Sequence, residues 1–346
     1  MFSRLHNQGQ MVQGFMSTQP QEDNFLVTFL NDTAVVQVPT RLSVLEAVAF
    51  KQTCQELTLK SETLKQIIID FKETTFMDSS GLGALVSNFK IAQEKGIEFI
   101  LQNVTPKVMA VLNLTGLDKV FSIDSHGDMS LLPNQKLEEE LPATHPSVRS
   151  WMKRLIDIVG AIVGLVITGF LSVPIVIAIT INDPGPILFS QTRCGWMGRP
   201  FKIWKFRSMC VDAEAKKAQV VNQVQGAFFK NDNDPRITKV GRFLRRTSLD
   251  ELPQFWNVLK GEMSLVGTRP PTPDEVASYE VPEWQRLDVK PGMTGEWQVN
   301  GRSTVRSFED VIRLDLQYQQ NWSLLYDLQL IVKTVLVLFN KNSGAV

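Results

Sequence analysis

Residues 242–271, RFLRRTSLDELPQFWNVLKGEMSLVGTRPP, set an acidic pair, Asp250 and Glu251, between Arg242, Arg245 and Arg246 on one side and Arg269 on the other. Guanidinium groups bind phosphate oxygens in pairs and neutralise charge developing on them. A carboxylate can attack phosphorus and form an acyl phosphate that a second acceptor relieves. These residue types therefore point to phosphate chemistry. Ser248 and Glu251 also fit a capping box, Ser-x-x-Glu, in which the two acids are simply first-turn residues favoured by the helix dipole. Pro253 falls beyond the tolerant first turn counted from Ser248, and a cap does not require the arginines; both weigh against that alternative. Adjacent helical residues project about 100° apart, so Asp250 and Glu251 are expected to differ in role, one facing phosphorus and the other a metal. Mg2+ often takes one or two carboxylates, with substrate phosphates completing its shell.

Upstream, Leu155–Ile181 is almost wholly apolar apart from Asp157. As a helix it would run about 40 Å, longer than a hydrocarbon core of about 30 Å. A straight span is the default reading, and two features oppose it. Pro174 lies deep in the run, where it removes a backbone hydrogen bond, and Ser172 is placed to satisfy freed carbonyls. Both flanks are basic, with Arg149, Lys153 and Arg154 before and Arg193, Arg199, Lys202, Lys205 and Arg207 after. Positive residues stay cytoplasmic, so a crossing would put one cluster on the wrong side. A re-entrant helix, broken at Ser172–Pro174 and leaving by the face it entered, satisfies both. In residues 323–339, Leu325, Leu328, Ile331, Val332, Val335 and Leu338 recur at helical spacing; such a helix lies either in the headgroup plane or on the domain core.

The 346 residues suffice for two cores, and the zero net charge hides two unlike halves. Residues 1–145 carry 11 Lys+Arg against 17 Asp+Glu, and residues 146–346 carry 25 against 19. The basic half suits phosphate-bearing ligands and anionic headgroups. Cys54, Cys194 and Cys210 form no disulfide or zinc framework, which fits a reducing cytosol, and three isolated histidines argue against a His-based metal site. No charged-then-apolar leader opens the chain, so its first domain is expected in the cytoplasm.

In that first domain, β-type runs at 25–30, 33–38, 66–71 and 97–101 alternate with helical patterns at 42–60, 80–95 and 106–114. Thr105, Pro106 and Gly116 punctuate the last helix. This predicts a small α/β domain with helices on a sheet. FMDSSGLG, residues 76–83, joins a strand to a helix. Ser79 and Ser80 would lie at that helix start, where added negative charge is favoured; alternatively Asp78 or Ser79 merely caps it. With IIIDFKETTFMDSSGLGAL and NVTPKVMAVLNLTGLDKVF, residues 22–124 resemble the STAS, or anti-sigma-factor-antagonist, family. The resemblance implies a regulatory docking module and maps that family's phosphorylated serine, the target of a partner kinase, to Ser80.

The remaining chain from Trp151 to Phe339 carries, in order, DPGPILFSQTRCGWMGRPFKIWKFRSM, DPRITKVGRFLRRTSLDELPQFWNVLKGEMSLVGTRP, VKPGMTGEWQVNGRS and LDLQYQQNWSLLYD. These blocks resemble the bacterial sugar transferases, the monotopic phosphoglycosyl transferases, which move a sugar phosphate from a UDP-sugar to a polyprenyl phosphate at the inner face of the cytoplasmic membrane. The resemblance implies Asp250 as nucleophile, Glu251 as Mg2+ ligand, and Arg245 and Arg269 as holders of substrate phosphates. It adds Lys205, Arg207, Asp234, Arg236 and the loop 291–302 with Arg302, in roles it does not specify. Thr268 departs from the family's usual proline in the turn carrying Arg269. The expected organisation is an α/β STAS-like domain over 22–124, a linker over 125–150, a re-entrant helix over 151–182 and a monotopic α/β catalytic domain over 183–346. Expected partners are membrane lipid, UDP-sugar, polyprenyl phosphate and a regulatory protein or kinase, with no nucleic acid; a homodimer is compatible with the sequence, which contains nothing that demands one. Two other readings stay open: a STAS scaffold anchored by a catalytically weak half, and a glycosyltransferase moving the sugar alone.

Overall fold

The computed structural model describes residues 25–60, 63–124, 141–216, 220, 231, 233–300 and 307–339. Arg302 and residues 125–140 of the expected linker lie outside them.

The N-terminal part runs β1 (Leu26–Leu30), β2 (Thr33–Gln37), β3 (Arg41–Leu42), α1 (Val44–Lys60), β4 (Gln66–Asp70), β5 (Phe76–Met77), α2 (Ser79–Glu94), β6 (Glu98–Gln102), α3 (Pro106–Thr115) and β7 (Ser122–Asp124). Its main sheet has five strands in the order β1-β2-β4-β6-β7, with β1 antiparallel to β2 and the rest parallel. Alternate residues of the central strands, Ala34 and Val36, Ile67 and Ile69, Phe99 and Leu101, are buried, because successive strand side chains point to opposite faces. Phe50 of α1, Leu82 and Leu85 of α2 and Val108 and Leu112 of α3 cover that face. Thr105 caps α3, Pro106 opens it and Gly116 closes it at φ 75°, as the residue types require.

The second part runs α4 (Pro146–Arg149), α5 (Trp151–Asn182), β8 (Leu188–Cys194), β9 (Pro200–Phe206), α6 (Lys239–Arg246), α7 (Phe255–Lys260), β10 (Ser264–Val266), α8 (Pro273–Ala277), β11 (Gly292–Thr294), α9 (Glu296–Asn300), α10 (Phe308–Gln320) and α11 (Leu324–Phe339). Residues 141–149, expected as linker, are folded here. Leu141 is buried, and Thr144 donates to the Asp288 carbonyl at 2.6 Å while accepting from the Trp196 indole at 2.8 Å.

α5 extends about 48 Å at the standard rise. Where the sequence leads one to expect a break at Ser172–Pro174, the helix continues. One proline removes a single helical hydrogen bond; the neighbouring bonds remain, and Ser172 Oγ donates to the Gly169 carbonyl at 2.7 Å. Both ends of α5 are seated on the same half. Near the start, Lys153 Nζ reaches Asp327 of α11 at 2.6 Å and the Val266 carbonyl at 2.9 Å. Arg154 donates to the Val258 and Leu259 carbonyls at the end of α7, and Asp157 accepts from Ser264 Oγ and the Leu265 N–H. Near its end, Ile175 and Ile179 pack with Phe206 and Leu244, and Asn182 accepts from the Val240 N–H. The opposite side, with Leu155, Val159, Ile162, Val166, Phe170, Val173, Ile177 and Ile181, is exposed and apolar.

α11 also settles a choice. Leu325, Leu328, Val332 and Val335 face outward, while Asp327 and Leu330 turn inward, so those four residues of the apolar stripe do not pack on the core. The inward aspartate is satisfied by Lys153, Tyr318 and Trp322, which makes its burial tolerable.

The two halves share one core. Met197, Val276, Tyr279, Val281, Trp284 and Leu287 join the cluster built on the N-terminal sheet. The 3-10 segment Val281–Asp288 lies along α2, so closely that a Cβ added at Gly83 would stand 2.5 Å from the Trp284 ring.

Candidate active site

The acidic pair sits on a 3-10 turn, Leu249–Gln254, between α6 and α7. Ser248 does not cap it: its φ is 55° and its side chain makes no capping bond, so the capping-box alternative is set aside. A left-handed serine turns the chain sharply after α6, and the 3-10 pitch then projects Asp250 and Glu251 about 120° apart rather than about 100°. Asp250 is buried, and Glu251 is partly exposed with Lys205 Nζ of β9 at 2.7 Å.

Arg245, in the last turn of α6, donates through Nε to Ser208 Oγ at 2.9 Å. Burial pushes its guanidinium below the ordinary range, and the charges of Asp250, Asp234 and Glu251 oppose that shift, so the arginine lies in the field of all three. Asp234 and Arg236 are buried together in a forked pair, with Nε and Nη2 donating at 2.7–3.1 Å. The Arg236 hydrogen bonds hold the Asp234 carboxyl below its usual range. Arg207 pairs with Asp183, just past α5, at 3.6 Å. It thereby ties the exit of the apolar helix to the end of β9.

Arg269 follows β10, and its guanidinium is held by both Glu275 oxygens, at 3.0 and 3.3 Å. Glu275 also closes a capping box with Thr272 at the start of α8, so one carboxylate fixes both a helix end and an arginine. Burial pushes that carboxyl up, but Arg269 and Arg193 outweigh it and keep it low. Thr268 donates to the Arg286 carbonyl at 3.1 Å, and Arg286 donates to the Arg269 carbonyl at 3.2 Å. The turn carrying Arg269 is thus bound to the segment that faces the N-terminal half.

The fold brings Asp250, Glu251, Arg245, Lys205 and the Asp234–Arg236 pair together. Arg269 joins them through the shared neighbourhood of Arg193, Glu275 and Glu251. Arg193, Ser208 and Glu275 were not among the expected site residues. For Glu275 a signal existed, since Thr272-Pro273-Asp274-Glu275 reads as a capping box, but that pattern speaks only of a helix start. Among the described residues no group of three His, Cys, Asp or Glu side chains converges on a metal position. A hard dication fits the oxygens of Glu251 and Asp250 only with substrate phosphates completing its shell.

At the serine motif, Asp78 caps α2 by accepting from the Gly81 N–H at 2.9 Å. Ser79 donates its N–H to Asp288 at 3.0 Å and its hydroxyl to Met197 Sδ at 3.3 Å. Ser80 is fully buried, and its hydroxyl has no partner among the described residues.

Residues 148–341 match the family described as bacterial sugar transferase, and residues 24–128 match the STAS domain. The galactosyl transferase CpsE of Streptococcus agalactiae is 51% identical over 187 residues, covering 54% of this chain and 41% of the relative. The UDP-glucose:undecaprenyl-phosphate glucose-1-phosphate transferase of Escherichia coli is 44% identical over 195 residues, covering 54% and 40%. The exopolysaccharide production protein ExoY of Rhizobium meliloti is 37% identical over 205 residues, covering 58% and 90%. The chain thus spans about two fifths of the first two relatives' length.

Proposed function

This chain belongs to the bacterial sugar transferase family, and on that premise we propose that it transfers a sugar 1-phosphate from a UDP-sugar to undecaprenyl phosphate, starting a lipid-linked glycan such as an exopolysaccharide. The observation that carries this reading is the buried Asp250 beside Arg245 and the Lys205–Glu251 pair, with the Arg269–Glu275 pair connected to Glu251 through Arg193, on a half that also presents a long apolar helix face.

An Asp250 carboxylate oxygen attacks the β-phosphorus of the donor. The bond from that phosphorus to the bridging oxygen breaks, and its electron pair leaves on UMP. A phosphate oxygen of undecaprenyl phosphate then attacks the same phosphorus, and the carboxylate departs as it began. Arginines around the turn hold the phosphate oxygens and stabilise their charge. Mg2+, held by Glu251, would supply further charge neutralisation on the diphosphate.

The exposed face of α5 lies in the lipid, with both ends of the helix at the cytoplasmic face. Its two ends rest on one catalytic half, the first through the buried Lys153–Asp327 pair and the second through Ile175 and Ile179 packed on Phe206 and Leu244, and hydrocarbon cannot separate surfaces so joined. The STAS domain regulates the catalytic half it packs against. Phosphorylation at Ser80 would require a local opening of the start of α2, because that hydroxyl is fully buried beside Ser79, which is bonded to Asp288 and Met197 of the other half.

Detergent-solubilised protein supplied with undecaprenyl phosphate, Mg2+ and a panel of UDP-sugars is expected to release UMP. Asp250→Asn is expected to lower that release by more than about 10³-fold, the range for loss of a nucleophile or its activation. Release of UDP would indicate transfer of sugar alone, and no nucleotide product across the panel would defeat the proposal.

A further inference from the structure

We propose that Arg193 is a further substrate-binding residue: it pairs with Arg269 around Glu275 to hold a phosphate group at the site. The inference rests on the activity proposed above and extends it to a residue outside the acidic-pair segment.

The strand register places it. In the β8–β9 hairpin, Phe189 lies opposite Lys205 and Arg193 opposite Phe201. Directly opposed residues share a face and residues two apart stay on it, so Arg193 and Lys205 occupy the same side of the ribbon. Lys205 on that side already reaches Glu251.

Its bonds then hold the guanidinium in one orientation. Nη1 donates to the Pro270 carbonyl at 3.0 Å, next to Arg269, and Nη2 donates to Gln191 Oε1 at 2.8 Å. The Nε–H is buried and has no acceptor among the described residues. A buried cationic donor without an acceptor is rare in a stable fold, and a ligand oxygen is one explanation for it. Burial and the nearby Arg269 push this guanidinium down to about 10, while Glu275 and Glu251 oppose them. Two arginines thus crowd one fully engaged carboxylate. Neither helix capping nor sheet pairing calls for such a pair, whereas a phosphate, accepting from both forks, relieves their repulsion.

The phosphate could come from the nucleotide donor or the lipid acceptor, and kinetics separate the two. Arg193→Gln and Arg193→Lys are compared with the unaltered chain, in detergent, for KM toward UDP-glucose or UDP-galactose and toward undecaprenyl phosphate. The Gln variant is expected to raise one KM by at least tenfold with a smaller change in kcat, and Lys to recover part of the loss. A raised donor KM assigns the nucleotide phosphates, and a raised acceptor KM assigns the lipid phosphate. Direct binding of UDP and of undecaprenyl phosphate, measured without turnover, keeps the inference testable should the activity itself be absent; at least tenfold weaker binding of one of them is expected. Unchanged KM values and unchanged binding of both probes would overturn the inference, whether or not turnover or melting temperature falls, because that pattern means Arg193 only props up Pro270.

Discussion

Glu251 is the residue on which the site's charges converge: Lys205 pairs with it, and it acts on both Arg245 and Arg193. If it holds the metal, Glu251→Gln keeps the shape and removes the charge. That variant is expected to lose about 10²-fold in turnover and to need more Mg2+ for half-maximal UMP release, a titration that separates it from a folding defect. Ser248 makes a different point. A serine at φ 55° costs about 1–3 kcal/mol that the surroundings must hold. Ser248→Gly is expected to keep or raise the melting temperature, and Ser248→Val to lower it along with activity. Asp250, Glu251, Arg245 and Arg269 were legible because their charges cluster within one short stretch. Arg193 was not, since it stands far upstream in a strand and read as a flanking positive charge. Only the packing of β8 beside the Arg269 turn gives it a place.

At the scale of elements, α5 shows how far a pattern carries. Its apolar run, basic flanks and interior proline were plain, and so was the expectation that both ends lie on one side. The break at Ser172–Pro174 did not appear, because a single missing bond is outweighed by packing along both halves of the helix. Ala143 and Ser190 flank the helix and are exposed, which suits them to cysteine labelling. With Cys210 replaced by serine, Ala143→Cys and Ser190→Cys are expected to react with an impermeant maleimide only in inside-out vesicles. Labelling from opposite faces would establish a simple crossing. α11 was legible as a helix but not in its orientation, since an apolar stripe suits either lipid or core, and the inward aspartate meets its lysine only in three dimensions.

Across the whole molecule, the two halves are held by a core that neither sequence pattern announces, and the segment Val281–Asp288 links their interface to Arg269 through Arg286. Two carboxyl groups converge on the start of α2 at this interface. Burial pushes Asp78 up to about 6 and Asp288 up to about 7, and the charge of Asp78 adds to the Asp288 shift. Arg41 opposes the Asp78 shift and Glu46 reinforces it. Raised carboxyl values mean that the folded state binds protons more tightly than the unfolded one. Their contribution to stability is full below about pH 4 and is lost as pH rises through about 6 to 7. Hydrogen exchange in α2 is therefore expected to quicken between pH 5 and 8, and Asp78→Asn with Asp288→Asn to flatten that dependence. Gly83→Val should quicken it at every pH, since overpacking against Trp284 costs about 1–3 kcal/mol. The chain's order by itself determined the α/β character of the first half, the acidic pair with its flanking arginines, and the long apolar helix, because each is written in local periodicity or in charges close along the backbone. Tertiary structure alone decided that the serine motif packs against the catalytic half, that Glu275 and Arg193 stand beside Arg269, and which side of α11 faces out. Those choices depend on which surfaces meet, and separation along the chain does not encode that.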